Sequence, residues 1–373
     1  MIQFERQTRF GIFIASALLL PTPGALAQSG LGSTSDQATQ IKFYGQLNLG
    51  LLSFDDGFDS ETYFTDNDNS NSRLGIRSDT KLSNEDTFRL QLEASLGLNG
   101  SSSINADDDD FTNTWKRTEI RKLEAGYSST TFGTISVGQG SMASDGIAEI
   151  DLSGTSVISY SSVADTGGGH SFRLTDGNPG LIKVGNVYSN FDGSRRTRIR
   201  YDTPKLSTLT ISAGYGQETL KENDDNDYYD LALRYAGKSN QKEIRAGLGY
   251  GWLGDDDEVM SGSISILHES SGLNGTLAAG QDVNQEADYV YAKFGIISSW
   301  FNIGNTAISL DYYSGSDFVT SGSNSDTFAV SVVQHFDPIG LEVYGTYRQF
   351  EFEESEVDYE KSDSIMIGAR WKF

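Results

Sequence analysis

The last thirteen residues, Lys361 to Phe373, alternate in polarity: the apolar side chains fall on odd positions, and most even positions are polar or small. A period of two is that of a β-strand, whose successive side chains point to opposite faces. An aromatic pair at one end of such a segment of about ten residues is typical of the interfacial girdle of a lipid-facing barrel strand. The pattern therefore predicts that the chain ends in a membrane-spanning β-strand. The apolar odd positions are Ile365, Ile367, Ala369, Trp371 and Phe373.

Fifteen further segments show the same alternation, which is poor only from Arg117 to Arg121. With the last strand they make sixteen, an even number, as expected for a bacterial single-chain barrel. We therefore predict an all-β protein, a 16-stranded antiparallel transmembrane β-barrel. The fifteen segments are 41–51, 70–82, 87–98, 117–127, 134–139, 195–202, 208–216, 227–236, 242–253, 259–269, 273–281, 287–297, 306–314, 326–336 and 341–350.

The connections between these segments alternate in length and charge. Every second connection is short, such as 83–85, 270–272 and 337–340, whereas those between are mostly longer and contain the acidic runs, such as 107–110, 218–227, 255–258 and 351–360. Short periplasmic turns and long extracellular loops are the arrangement of outer-membrane barrels. A soluble β-sandwich or lectin-like fold is the alternative, but nothing in a sandwich forces long and short connections to alternate. No apolar run is long enough for a helical membrane span, which needs about 20 residues.

The amino terminus has the features of a secretory signal peptide over residues 1–27. Arg6 and Arg9 precede an apolar stretch from Phe10 to Leu20, and Ala25 to Ala27 give a small-residue cleavage site. We predict that residues 28–373 form the mature barrel. Removal of Glu5, Arg6 and Arg9 takes away a net +1, so the formal charge changes from −24 to about −25.

Composition argues against several functional classes. The chain has no cysteine, which excludes disulfides, a thiolate nucleophile and cysteine-ligated metals. Its strong acidity argues against nucleic-acid binding, because phosphates would be repelled. The three histidines, His170, His268 and His335, lack metal-ligand spacing, and no G-x-S-x-G nucleophile motif is present. We therefore expect no enzyme activity and no cofactor, and the acidic runs are interpreted as a solvated rim rather than a calcium site.

The longest connection is the third extracellular one, at about fifty residues, and loops beyond about 15 residues are usually functional or disordered. Its apolar residues, which include Ile147, Ile150 and Tyr160, favour packing inside the barrel over a mobile surface loop. We predict that residues 141–193 form a constriction loop.

Charged residues on the polar faces of the strands are the candidate pore residues. We predict a basic wall opposite acidic residues of the loop, which would give a transverse field that selects solutes by charge. Alternatively, the arginines pair with local acids such as Asp202 and only stiffen the wall. The basic set is Arg73, Arg77, Arg89, Arg196, Arg198, Arg200 and Arg234, and the acidic set is Asp145, Glu149 and Asp151.

Five short motifs, in this order, carry a family resemblance. They are Ile41-Lys42-Phe43-Tyr44-Gly45, Ser72-Arg73-Leu74-Gly75-Ile76, the stretch from Phe132 to Gly140, the stretch from Arg198 to Pro204, and the terminal Trp371-Lys372-Phe373. With them the chain resembles the general Gram-negative porin family in its alphaproteobacterial branch. The resemblance implies a sixteen-stranded barrel, usually a homotrimer, whose third extracellular loop folds inward and narrows the pore. The Pro-Glu-Phe-Gly type of loop tip found in enterobacterial relatives is missing, so their constriction geometry does not transfer.

These observations predict a porin in the outer membrane of a Gram-negative cell. It would be a multi-pass β-barrel in contact with membrane lipid and lipopolysaccharide, and a water-filled channel for passive diffusion of small hydrophilic solutes and ions. A substrate-specific channel for anions or sugars on the same barrel is the main alternative. A barrel enzyme or a non-channel surface barrel acting as an adhesin is a further one.

Overall fold

The computed structural model describes residues 39–83, 85–109, 111–254 and 257–373. The predicted signal peptide lies outside these residues, as do Asn84, Asp110, Asp255 and Asp256. The strands are β1 Thr39–Asp55, β2 Ser60–Asp66, β3 Arg73–Lys81, β4 Asp86–Ser95, β5 Ile120–Ser129, β6 Gly133–Ser141, β7 Ser171–Arg173, β8 Pro179–Lys183, β9 Arg195–Asp202, β10 Leu209–Gln217, β11 Asp227–Ser239, β12 Lys242–Leu253, β13 Glu258–His268, β14 Leu273–Asp282, β15 Asp288–Phe301, β16 Gly304–Ser316, β17 Asn324–Phe336, β18 Leu341–Glu353 and β19 Ser362–Lys372. One short helix, α1 (Val184–Val187), and four 3-10 turns, Asp68–Ser70, Arg117–Glu119, Val163–Asp165 and Asp337–Ile339, complete the described elements.

The strands close into an antiparallel barrel. Each barrel strand pairs with the next, and β1 pairs with β19, with Gln46 opposite Lys372 and Asp55 opposite Asp363. The last residue completes the closure, because the amides of Gly45 and Phe373 each donate to the other's carbonyl, at 3.0 and 3.1 Å. The two halves of β1 pair with β3 and β2 in turn, so β2 and β3 together occupy one position in the wall. Since β7 and β8 form a separate small sheet, the barrel has sixteen strand positions, which confirms the predicted fold.

The two faces of the wall have the burial pattern of a membrane barrel. On β16, Leu310 and Tyr312 are 56% and 49% exposed, whereas Ser309 and Asp311, which alternate with them, are buried. Other strands likewise have exposed apolar residues and buried polar residues in alternation. Trp371 and Phe373 are exposed, as their odd positions predict. A continuous outer belt of exposed apolar side chains with polar groups buried behind it fits a lipid environment and not water. In the described residues, no helix is both long and apolar enough to cross a bilayer.

The connections alternate in length as the sequence predicts. One end of the barrel has tight turns, for example the two-residue turn between β11 and β12, where Asn240 and Gln241 both have positive φ. Positive φ at both central residues is the conformation of a type I′ hairpin turn, whose twist matches the flanking strands. The other end has the long connections between β4 and β5 and between β6 and β9.

Three local features differ from the predicted elements. The segment 60–66 is strand β2, although its acidic residues favoured a loop. The predicted strand from Arg117 starts only at Ile120, because Arg117–Glu119 form a 3-10 turn where the alternation is poor. The long segment 141–193 contains the β7–β8 hairpin and helix α1, which the sequence analysis missed.

The apolar core lies between segment 141–193 and the wall. Phe172, Val184 and Val187 of the segment pack with Phe54 and Phe350 of β1 and β18. A second cluster joins Val157 and Ile158 to strand side chains including Leu52, Val333 and Met366. Full burial of one such side chain contributes about 1.5–3 kcal/mol, so these clusters hold the segment against the wall.

Candidate pore constriction

Segment 141–193 begins on the arginine-rich strands. Arg198 and Arg200 of β9 donate to the backbone carbonyls of Ser141 and Met142, at 3.1 and 2.7 Å. Asp230 of β11 accepts hydrogen bonds from the amide and the hydroxyl of Ser144, at 2.6 and 2.7 Å. The charged groups of these two strands therefore fix the first turn of the segment.

The middle of the segment is bound to strands further around the barrel. The amides of Ile150 and Leu152 donate to the hydroxyls of Ser263 and Ser265 on β13, at 3.2 and 2.9 Å. Asp151 forms an ion pair with Lys293 of β15, with 2.7 Å between Nζ and Oδ2, and the Lys293 amine also donates to the Ser159 carbonyl at 2.7 Å. Both charged side chains are almost fully buried, at 0% and 3% exposure.

A second buried ion pair lies beside the first. Arg348 of β18 and Asp311 of β16 approach to 2.9 Å, and Asp311 also accepts a hydrogen bond from the Ser159 hydroxyl. Buried charges of this kind are tolerated only when paired and hydrogen-bonded. Together the two pairs make residues 151–159 the most strongly polar attachment of the segment.

The end of the segment is attached to β17 and β18. The Tyr188 hydroxyl lies 2.7 Å from the Asp326 carbonyl and 2.9 Å from that of Glu351. Tyr313 of β16 donates to the Ser189 carbonyl at 2.6 Å, and Ser325 donates to that of Val187 at 2.6 Å. The segment thus contacts strands from β9 to β18 in succession.

The predicted basic residues are each engaged by a carboxylate or a carbonyl. Five of them have an acidic partner in the wall, as the stiffening alternative requires. Arg234 instead donates to the backbone carbonyl of Asp145, at 2.9 Å. Arg196 is 3.4 Å from Glu218 and lies 4.2 Å above the centre of the Tyr228 ring. The five wall pairs are Arg73 with Glu93, Arg77 and Arg89 with Asp79, Arg198 with Glu124, and Arg200 with Asp202.

Arg73 belongs to a cluster that the sequence analysis only partly identified. Glu93 of β4 lies 3.8 Å from Arg73 and 2.8 Å from Arg121 of β5, so one carboxylate serves two guanidinium groups. Arg195 is near enough for the positive charges of all three arginines to interact unfavourably. A cavity of about 280 Å³ is lined by four cationic and two acidic side chains: Arg121, Arg195, Arg196, Lys221, Glu119 and Glu218. This recess has an excess of positive charge and suits an anion.

The three predicted acidic residues of the segment have different partners and do not form one cluster. Asp145 is 4.0 Å from Arg195, on the basic side, and Asp151 is bound to Lys293. Glu149 accepts a hydrogen bond from Asn190 at 3.3 Å. Burial, with the charges of Asp192, Asp165 and Asp145, raises the pKa of Glu149 well above its ordinary value.

Two further carboxylates stand close to Glu149. Asp192 accepts hydrogen bonds from the amides of Gly146 and Ala148, at 2.6 and 2.8 Å, and burial with the Asp145 charge raises its pKa to about 7. Burial likewise raises the pKa of Asp165 to about 7, against the effect of a hydrogen bond from Tyr160. The segment therefore has an acidic group, Glu149, Asp165 and Asp192, and the charge of Asp165 and Asp192 changes near neutral pH.

Sequence parity could have identified part of what was missed. Lys293 lies on the same buried face of β15 as Tyr291, and Arg348 lies on the same buried face of β18 as Thr346. The alternation in the sequence could therefore have predicted that both side chains point away from the lipid. Their partners could not have been predicted, because Asp151 and Lys293 are separated by more than a hundred residues in the chain. Of the three histidines, His268 and His335 lie at strand ends, and His170 is buried and stacked on Phe54.

The chain is similar to solved porin structures. The anion-selective porin from Comamonas acidovorans superimposes with a TM-score of 0.60 at 14% identity, covering 90% of this chain and 100% of that one. The trimer form of in-vitro folded OmpT, an outer membrane protein of Vibrio cholerae, gives 0.55 at 15% identity, with 90% and 100% covered. Salmonella typhi OmpF in complex with daunomycin gives 0.57 at 12%, with 89% and 97% covered. No curated protein matches the chain.

The closed sixteen-strand wall with its exposed apolar belt defines an outer-membrane β-barrel channel protein. A family model described as Gram-negative porin matches residues 15–355, and the chain belongs to that family. The protein is accordingly an outer-membrane porin, and the family resemblance read from its motifs is confirmed.

Proposed function

We propose that segment 141–193 lies inside the barrel and forms the constriction of a water-filled, passive diffusion pore. The supporting observation is that the segment's contacts reach strands from β9 to β18, each on the buried parity opposite the exposed apolar belt. A segment outside a closed wall could not contact so many strands on that face. The pore would conduct small hydrophilic solutes and ions without a chemical reaction.

Selection by charge follows from the two sides of this constriction. Arg73, Arg121 and Arg195 make one side basic, and the acidic group of Glu149, Asp165 and Asp192 makes the segment's side acidic. Such a transverse field orients polar solutes, and opposite charges of similar number give weak net selectivity. With a chain charge of −24, we expect a slight cation preference that fades as salt rises, because rim charges are screened within about 8 Å at physiological ionic strength.

Deletion of Ser144 to Asp165 tests the constriction. We expect a larger single-channel conductance and a larger solute cutoff, because the deletion removes Glu149 and Asp165 of the acidic group and the attachments to Lys293 and Arg348. Substitution of Glu286 by Gln, in an exposed connection between β14 and β15, is the matched control and should leave conductance unchanged. Conductance and cutoff that stay the same in the deletion would place the segment outside the permeation path.

A substrate-specific anion channel is the second candidate, favoured by the recess that Arg121, Arg195, Arg196 and Lys221 line. In that case, anion selectivity would persist at high salt, and substitution of Arg121 by Gln would abolish it. Weak selectivity that fades with salt would leave general diffusion as the function.

The assembly and surroundings are also proposals. Because one similar structure is a trimer form, we propose a homotrimer, which crosslinking in detergent would test. The exposed apolar belt would contact outer-membrane lipid, with lipopolysaccharide around the end that has the long connections.

A further inference from the structure

A second cavity, separate from the arginine-rich recess, lies at the end of the barrel with the long connections. It has a volume of about 310 Å³ and is enclosed by the connections around residues 56–61, 105–107 and 169–183. This volume is at the lower end of the range for small-molecule sites. Its lining shares Phe54 and Phe172 with the apolar cluster that holds segment 141–193, but it includes none of the ion pairs of the pore described above.

The charge of the cavity lining is negative. Asp56, Asp59, Glu61 and Asp107 line it together with only two cationic side chains, Arg173 and Lys183. Arg173 is engaged by two of the carboxylates, with Nε 2.8 Å from Asp56 and Nη2 3.3 Å from Asp59. Within the described residues, Glu61 and Asp107 have no cationic partner. The lining therefore favours a positively charged occupant.

The inner wall of the cavity is aromatic. His170 stacks on Phe54 with 4.0 Å between ring centroids and 7° between planes, and Tyr63 lies 5.2 Å from the His170 ring. Tyr63 also donates to Glu61 at 2.5 Å, so a carboxylate stands at the edge of this wall. Aromatic faces beside carboxylates are the surroundings in which organic ammonium ions bind best.

His170 supplies an independent indication of a ligand. Its side chain is buried, with 7% exposure, it lines the cavity, and its Nε2 has no hydrogen-bond partner among the described residues. Burial lowers the pKa of His170 to about 4, so the ring is neutral at pH 7. Asp56 and Lys183 are the charged groups that act on it, in opposite directions. An unpaired buried nitrogen costs free energy that a hydroxyl group of a ligand would recover.

We propose that this cavity binds a small organic ammonium ion that carries a hydroxyl group. The aromatic wall and the carboxylates of Glu61 and Asp107 hold the cationic end, and the hydroxyl pairs with His170. A metal ion fits less well, because no group of three His, Asp or Glu side chains among the described residues converges closely enough to ligate one. The site would concentrate such solutes at the extracellular end of the protein.

Choline is the probe, and two analogues isolate its features. The neutral isostere 3,3-dimethylbutan-1-ol lacks the charge, and tetramethylammonium lacks the hydroxyl. Binding to the full-length folded barrel in detergent is measured by ligand-observed NMR, which does not depend on pore current. A negative result therefore leaves the proposed pore function untouched.

We expect choline to bind about tenfold more tightly than the neutral isostere, since charge–aromatic attraction at a partly desolvated site is of that order. Glu61→Gln should weaken choline several-fold. His170→Phe, which keeps a ring stacked on Phe54, should remove the difference between choline and tetramethylammonium. Glu286→Gln, an acidic substitution in a distant exposed connection, is the control that should change nothing.

Each variant is first checked for heat-modifiable migration and for an unchanged β-sheet circular dichroism spectrum, so that a folding defect is not mistaken for a lost site. Equal binding of choline and the neutral isostere would overturn the proposal. So would Glu61→Gln affinity equal to that of Glu286→Gln, or the absence of any choline signal in the unmodified protein.

Discussion

The buried ion pair between Asp151 and Lys293 offers the sharpest test of how the segment is held. Replacing Lys293 by Met removes the cation and leaves the Asp151 carboxylate buried without a cationic partner, although Ser153 still donates hydrogen bonds to it. Breaking a buried pair in this way costs about 3–5 kcal/mol. The substitution also removes the hydrogen bond that the Lys293 amine donates to the Ser159 carbonyl, which belongs to the same attachment.

This cost falls on the docking of the segment and not on the barrel wall, whose hydrogen bonds are unchanged. A loss of about 4 kcal/mol raises the ratio of undocked to docked segment about a thousandfold. We therefore expect Lys293→Met channels to show frequent conductance substates and faster limited proteolysis within residues 141–193. Single-channel recording and timed proteolysis measure the two effects.

Two variants bracket this result. Asp151→Asn combined with Lys293→Met removes both charges and should restore much of the docking, because a neutral pair leaves no buried charge. Lys238→Met breaks an exposed pair with Glu243 and Glu269, where surface ion pairs contribute about 0–1 kcal/mol, and should resemble the unmodified protein. If Lys293→Met behaved like Lys238→Met, the segment would not depend on this pair and the reasoning would be refuted.

Three further predictions concern charge and the lipid face. Asp165 and Asp192, with pKa values raised to about 7, gain their charge as pH rises, so cation preference should increase between about pH 6 and pH 8. Reversal potentials across a KCl gradient measure this, and selectivity that is flat over the interval would contradict it. Arg121→Gln should shift the reversal potential toward cations, and the control Arg89→Gln, at an exposed arginine, should not. Leu310→Lys puts a charge on the outer belt and should lower the free energy of unfolding by about 2–4 kcal/mol if the site is near mid-bilayer. Urea unfolding in lipid vesicles measures this, and an unchanged unfolding midpoint would argue against lipid contact there.

The strands could be predicted from the sequence because a lipid-facing wall forces a period of two on every strand. The last strand shows this, since the exposed residues Ile365, Ile367 and Trp371 all fall on the predicted parity. Strand β2 was missed because its acidic residues favour a loop, while its hydrogen bonds come from β1 through a tertiary pairing. Local polarity cannot report such a partner.

The candidate site was predictable in type but not in pairing. Parity placed Arg198 and Arg200 on the polar face, but nothing in the sequence indicated that they would bind the first carbonyls of the long segment. Asp151 was expected to oppose the arginines, whereas it pairs with Lys293. The choice among carboxylates depends on the path of a fifty-residue connection, which tertiary packing decides.

Planar-bilayer recording of the purified, unmodified protein tests the central claim most directly. The sixteen-strand wall with a polar inner face and an attached segment predicts stepwise insertions with ohmic conductance, and a weak cation preference that fades as salt rises. Absence of any conductance steps from independently refolded preparations would contradict a water-filled pore through this barrel.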